Sequence, residues 1–304
     1  MRIATNTTYQ NSIFSMQNTT ASISEAMVKM SYGKAILKPS DDPIGSVRVM
    51  GLEQDNSAAS QYIDNISNLS DYYSRAESAL TGMTDSMLRI TELVTAAGNG
   101  AATPENREAY ASELRSLQDS LVDMANSKDA NGAYLFAGNQ TGTQPISQDA
   151  AGNYVYGGDS GTRQVPISDS AEMDANFSGD ELFFNGGADI FNGLNDYIAV
   201  LEDPTLGPGD AAFDGAHDQM KQLLGDSRDD INAAVTTMGG NQNSLTMMES
   251  YHEDMVLYNT KVIGETEDLD YAAAMTDYST NLTVLQATQQ TYVKIANLSL
   301  FNEI

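Results

Sequence analysis

Few side chains in this sequence have the type and spacing that catalysis or metal binding requires. The two histidines, His217 and His252, each lack a second histidine three or four residues away, which is the spacing of a zinc-binding helix. Asp41 and Asp42 are adjacent carboxylates, but they stand between Pro39 and Pro43. That context is typical of a turn followed by a helix N-cap rather than of an acid–base pair. We therefore predict no catalytic residue and no metal ligand at these positions.

A calcium loop is the remaining chemical possibility. Glu267, Asp268 and Asp270 lie close together, but the glycine and the distal glutamate of a calcium loop are missing. An acidic first turn of a helix explains them better. The sequence has no phosphate-binding loop, dinucleotide fingerprint or nucleophile elbow. It also has no cysteine, which excludes disulfides, thiol catalysis and zinc–thiolate sites. We predict neither an enzyme nor a cofactor.

Length and charge limit the class of protein further. The chain has 304 residues, enough for two or three small domains, and 42 acidic against 15 basic side chains give a net charge of −27. Such a charge repels phosphate backbones and anionic lipids, so neither nucleic acid nor a membrane is an expected partner. Residues 1–17 lack the apolar core of a signal peptide. If the protein is extracellular, we expect its export to need no cleaved signal.

Heptad periodicity is the strongest structural signal in the sequence. Apolar residues alternate at spacings of four and three over ten positions: Tyr62, Ile66, Leu69, Tyr73, Ala76, Leu80, Met83, Met87, Ile90 and Val94. This series predicts one long helix over residues 43–97, with Asp42 as its N-cap and Pro43 as its first residue. A second helix should begin at Pro104 after the N-cap Thr103 and pack antiparallel to the first. A third stripe, over 231–262, is interrupted by glycines at 239 and 240, which could mark a bend.

The two ends of the chain carry apolar stripes in a polar background. In the first segment the stripe contains Ile13, Met16, Ile23, Met27 and Met30, and in the last segment it contains Tyr271, Met275, Tyr278, Leu282, Leu285, Tyr292, Ile295 and Leu298. We call this set the assembly seam. The surrounding Asn, Ser, Thr and Gln residues have weak helix propensity, so these segments should become ordered only when a partner packs against them.

The middle of the chain has a different composition. Residues 141–220 contain 14 acidic side chains and one basic side chain, and short strand-like runs occur at 154–156, 164–167 and 181–184. A short helix at about 188–201 should follow. We predict a mainly α fold, a long helical rod or coiled-coil bundle with a small β-rich insertion. Its expected parts are an inner coiled coil (1–42 with 265–304), a helical bundle (43–139 with 188–264) and an outer insertion (140–187).

Several short segments resemble the flagellin-like family of bacterial flagellar proteins. These segments are 30–34, the elbow motif Pro39, Ser40, Asp41, Asp42 and Pro43, and the segments 131–138, 267–272 and 298–302. The form of the elbow motif and the Leu-Phe-Asn ending resemble the hook–filament junction branch more than filament flagellin. Nothing in residues 140–187 contributes to the resemblance.

The resemblance implies a structural role and a set of partners. It implies export through the flagellar type III channel, with a chaperone similar to FlgN protecting the C-terminal segment. It further implies an extracellular ring of copies that assembles on FlgK, the first junction protein, and presents a surface for flagellin. Three alternatives remain open from the residues alone: filament flagellin, an acidic metal-binding or hydrolytic protein built on residues 141–220, and a cytoplasmic coiled-coil scaffold.

Overall fold

The computed structural model describes the backbone of residues 2–184 and 189–301 and the side chains of residues 7–184 and 189–294. Within those ranges there are seven helices and two two-stranded antiparallel sheets. The helices are α1 (Arg2–Tyr32), α2 (Pro43–Ala97), α3 (Pro104–Ala125), α4 (Gly179–Phe183), α5 (Ile190–Glu202), α6 (Ala211–Glu267) and α7 (Tyr271–Phe301). The strands are β1 (Ile146–Gln148), β2 (Tyr154–Tyr156), β3 (Gln164–Pro166) and β4 (Glu172–Asp174).

The ends of α2 and α3 follow from their capping residues. Asp42 Oδ1 accepts hydrogen bonds from the backbone N–H groups of Ile44 (3.1 Å) and Gly45 (3.0 Å), so it satisfies donors that a helix start leaves free. Thr103 Oγ1 accepts in the same way from the N–H of Asn106, at 3.3 Å. Nine of the ten residues of the predicted α2 stripe are buried, and Tyr62 is half-buried. The predicted bounds of α2, the start of α3 and both caps are confirmed.

The β-rich region differs from the prediction in one of its strands. Strand β1 pairs with β2, with Ile146 opposite Tyr156, and β3 pairs with β4, with Gln164 opposite Asp174. The prediction of a strand at 181–184 is wrong, because helix α4 covers most of this segment. Ser178 Oγ caps this short helix by accepting from the N–H of Asp180, at 3.2 Å. An apolar run this short does not separate a strand from a buried helical turn.

Two predictions for helices in the C-terminal half of the chain also differ from the structure. Helix α5 begins after the N-cap Asp189, and residue 188, where we expected its start, lies outside the described residues. Helix α6 continues through the glycine pair at 239 and 240 without an interruption, and it ends at Glu267. Inside a long packed helix, the cost of two glycines is offset by the burial of neighbouring residues such as Met238.

The chain divides into two compact units. The first unit contains residues 1–58 and 254–304, and the second unit contains residues 59–253. In the second unit one apolar core takes side chains from α2, α3, α5 and α6, and it includes Ile146 of β1 and Ile167 just after β3. The hairpins therefore share the core of the helices in their unit. The three-part division predicted from the sequence remains a prediction. Among the described residues, no helix combines the length and apolar character needed to cross a bilayer.

Candidate assembly surface

Helices α1 and α7 pair in an antiparallel arrangement in the first unit. The rings of Tyr9 and Tyr292 lie 4.9 Å apart between centroids, and their hydroxyl groups are hydrogen bonded. At the opposite end of the pair, the Tyr271 hydroxyl donates to the Met30 carbonyl at 3.0 Å. Among the described side chains of the two helices, only that of Ile23 is buried. The pair therefore has a much thinner core than the second unit.

The assembly seam predicted from the sequence separates into three groups. The residues on the inner side of the pair are half-buried or, for Ile23, buried: Ile13, Met16, Ile23, Met30, Tyr278, Leu282, Leu285 and Tyr292. Three others stay exposed, namely Met27 (53%), Tyr271 (55%) and Met275 (59%). Ile295 and Leu298 lie in α7, but their side chains are outside the described residues. The structure thus distinguishes members that join α1 to α7 from members that face solvent.

Exposed apolar side chains concentrate in the first unit. Of the seventeen large apolar residues exposed among the described side chains, thirteen belong to this unit, although it is the smaller of the two. We call these thirteen the exposed apolar set: Phe14, Met27, Val28, Tyr32, Ile44, Val47, Met50, Leu257, Tyr258, Tyr271, Met275, Val284 and Val293. Concentrated exposure of this kind is typical of a surface that binds another protein.

Three members of the exposed apolar set follow one another at the start of α2. Ile44 is 84% exposed, Val47 is 71% exposed and Met50 is 63% exposed. Their spacing of three residues places them in a slanted row on the helix surface. Heptad periodicity does not reveal this row, because the heptad series begins only at Tyr62. The sequence signal for this row is the recurrence of three large apolar residues, three positions apart, before the heptad series begins.

The connection between α1 and α2 is tied to the connection between α6 and α7. Gly33 has φ of 70°, in the left-handed region that favours glycine, and its carbonyl accepts from the N–H of Leu269 at 2.9 Å. The N–H of Ala35 donates to the Glu267 carbonyl at 2.6 Å, and Lys34 forms an ion pair with the Glu267 carboxylate. Backbone hydrogen bonds therefore hold the C-terminal end of α1, which leads into α2, next to the N-terminal end of α7, which follows α6.

The two carboxylates of the elbow motif make backbone hydrogen bonds. Asp41 Oδ2 accepts from the N–H groups of Leu37 (3.0 Å) and Lys38 (3.1 Å), and Asp42 caps α2 as described above. The hydrogen bond from Leu37, supported by that from Lys38, holds the pKa of the exposed Asp41 carboxyl below its usual range. Pro39, Ser40 and Pro43 are exposed. The motif shapes a turn and starts a helix, as its position between prolines indicates.

The histidines and acidic groups are not brought together into a site. His252 Nε2 lies 2.8 Å from the Ile167 carbonyl oxygen, and His217 Nδ1 lies 3.0 Å from the Tyr197 hydroxyl. Burial lowers the pKa of His217. Asp270 caps α7 by accepting from the N–H of Ala272 at 2.9 Å. Over residues 2–184 and 189–301, no group of three or more His, Asp or Glu side chains could hold a metal ion.

Comparison with known proteins agrees with this architecture. Residues 3–141 match the bacterial flagellin N-terminal helical region. The chain is 30% identical to flagellar hook-associated protein 3 of Escherichia coli strain K12 over 319 aligned positions, which cover 99% of each chain. The chain belongs to the family of flagellar hook-associated protein 3. It is also 29% identical to the protein of the same name from Salmonella typhimurium, again over 99% of each chain.

Solved structures of the hook-associated family share the fold. A flagellar hook-associated protein from Vibrio parahaemolyticus superposes with a TM-score of 0.69 and 31% identity, covering 75% of this chain and 100% of that one. The flagellar junction protein FlgL from Legionella pneumophila has a TM-score of 0.59 and 19% identity, covering 73% and 100%. The chain is thus a structural component of the bacterial flagellum, an extracellular appendage.

Proposed function

We propose that this chain joins the hook-associated zone to the flagellin filament by burying the exposed apolar set of its first unit between subunits, and that it catalyses no reaction. Its partners in this proposal are further copies of itself, FlgK on the hook side and flagellin on the filament side. The observation that carries the proposal is the concentration of exposed large apolar residues in the first unit.

The energetics favour association through this surface. Full burial of one large apolar side chain stabilises a complex by about 1.5–3 kcal/mol before the costs of association are subtracted. Ile44, Val47 and Met50 are each more than 60% exposed in the free chain, so most of that gain is still available to them. The α1–α7 pair contributes less internal stability, because its described side chains bury only Ile23. The first unit therefore should become fully ordered only at the site of assembly.

The same properties suit export before assembly. Helices α1 and α7 are rich in Asn, Gln, Ser and Thr, which lowers their stability as isolated helices. A chaperone similar to FlgN would cover the apolar stripe of α7 in the cytoplasm, around Tyr278, Leu282 and Leu285. In this proposal the chain passes through the flagellar type III channel without a cleaved signal peptide. The thin core of the first unit lowers the cost of unfolding that unit for such passage.

A deletion strain tests the proposal directly. We expect cells without this chain to make hooks, to lack filaments and to release flagellin into the medium. A tagged chain expressed in these cells should restore filaments and lie at the hook tip, whereas a filament flagellin would be distributed along the filament. Filaments of normal number in the deletion strain would contradict the proposal.

A pair of variants links the function to the exposed apolar set. Val47→Asp places a charge in the row on α2, where burial against a partner would desolvate it. Ser67→Asp adds the same charge to an exposed polar position on the other side of the same helix, within the second unit. Both variants should fold as monomers, because both side chains are exposed in the free chain. We expect only Val47→Asp to lose filaments, and equal filament numbers for the two variants would argue against this surface.

A further inference from the structure

Methionine is the one readily oxidised sulfur side chain in this protein. The sequence contains 15 methionines and no cysteine. Among the described side chains, four methionines are exposed: Met27 (53%), Met50 (63%), Met275 (59%) and Met247 (61%). The first three belong to the first unit and to its exposed apolar set, whereas Met247 belongs to the second unit. Methionines in the second unit's core, such as Met83, are fully buried.

We infer that Met27, Met50 and Met275 are three oxidation-sensitive modification sites that control assembly. Hydrogen peroxide is the oxidant in this inference. A sulfur lone pair attacks one peroxide oxygen, the O–O bond breaks, and the products are methionine sulfoxide and water. Sulfur loses two electrons and the peroxide gains them. The inference rests on the proposed function, because it requires that the exposed apolar set be buried between subunits.

The chemistry of the sulfoxide explains the expected effect. Oxidation converts a flexible apolar side chain into a polar one that carries a strong hydrogen-bond acceptor. In the free chain these side chains already face water, so the new oxygen is solvated and the fold of the monomer is unaffected. Burial of the same oxygen in an apolar contact between subunits removes that solvation without a compensating partner. The modification therefore opposes assembly more than it opposes folding.

The positions of the three methionines in the first unit also predict when they react with peroxide. Met27 lies near the C-terminal end of α1 and Met275 near the N-terminal end of α7, and the hydrogen bond from Tyr271 to the Met30 carbonyl joins these two helix ends. Met50 lies in the exposed row on α2. All three side chains are exposed to oxidant in the free chain, and in this inference they become shielded once copies pack together. Assembly should thus protect these three methionines and leave Met247 reactive.

The experiment uses the full-length chain and hooks isolated from the deletion strain. The chain is treated with hydrogen peroxide, the peroxide is removed, and filament growth is scored after hooks and then flagellin are added. Peptide mass spectrometry locates each sulfoxide. The triple variant Met27→Leu, Met50→Leu, Met275→Leu keeps the apolar volume and removes the sulfur. Met247→Leu is the matched control, since its side chain is equally exposed but lies in the second unit.

The expected results are specific to these three positions. Peroxide should lower filament growth at least about tenfold for the unsubstituted chain and for Met247→Leu, and leave the triple leucine variant active. Treatment of the oxidised chain with methionine sulfoxide reductases and a thiol should restore growth. Either equal loss in the triple variant or full activity of the oxidised unsubstituted chain would overturn the inference. Failure of the untreated chain to support filaments would instead count against the proposed function.

Discussion

Two leucines on the same helix give a quantitative test of the packing of α2. Leu80 is fully buried in the core of the second unit, whereas Leu88, eight residues later, is 46% exposed. Leu80→Ala removes buried methyl groups and leaves a cavity, which costs about 2–5 kcal/mol. Leu88→Ala removes a side chain that is already half in water, so its cost should be about 1 kcal/mol or less. The chemical change is identical, and only burial differs.

Thermal unfolding followed by circular dichroism measures the difference. For a unit of this size, 1 kcal/mol corresponds to about 2–4 °C in Tm, so Leu80→Ala should lower Tm by about 4–20 °C. Leu88→Ala should lower it by about 4 °C at most. Urea midpoints should follow the same order, with unchanged m values. Equal shifts for the two variants would refute the helix register and the core built on it.

Three further predictions concern the first unit. Leu282→Asp should abolish filament growth, scored by electron microscopy, and leave the Tm of the second unit unchanged, measured by circular dichroism. A lower Tm of the second unit would show that α7 supports that unit. Gly33→Ala should weaken the link between α1 and α7, because φ of 70° strains alanine and the added Cβ would lie 3.1 Å from the Tyr271 hydroxyl oxygen. Faster proteolysis of both terminal helices would reveal the weakened link. Hydrogen bonds from backbone N–H groups lower the pKa of the Asp41 carboxyl in the folded state. Its stabilising contribution is therefore complete above about pH 4 and is lost as the pH falls through the folded pKa. Asp41→Asn should make the structure of this turn, followed by NMR, less sensitive to acid.

The parts of the fold that the sequence predicts are those with many mutually consistent signals. The α2 helix has ten heptad positions, an aspartate cap and a proline in its first turn, and each of these agrees with the others. Thr103 followed by Pro104 gives the same combined signal for α3. By contrast, β1 (Ile-Ser-Gln) and β4 (Glu-Met-Asp) each contain one apolar residue beside polar ones and give no strand signal, whereas β2 (Tyr-Val-Tyr) is aromatic and β-branched throughout.

The faces of α1 and α7 could not be assigned from the sequence, for a physical reason. The half-buried positions of these helices include Thr19, Ala26 and Ala274, which are small or polar and give no apolar signal. The adjacent Met27 and Met275 are large and apolar, so the pattern favoured them, yet they remain exposed in the single chain. A helix that must contact both its own partner and another subunit carries apolar residues on more than one face. Periodicity alone does not tell which face serves which contact.

Hydrogen–deuterium exchange tests most directly the claim that the first unit becomes fully ordered only on assembly. The backbone amides of residues 2–32 and 271–301 would be compared in the free chain and in the chain bound to hooks and capped by filament. Since the described side chains of this helix pair bury only Ile23, we predict fast exchange in the free chain and strong protection after assembly. Amides of the second unit, around Leu80, should be protected in both states. Equal and strong protection of both terminal helices in the free chain would contradict the account.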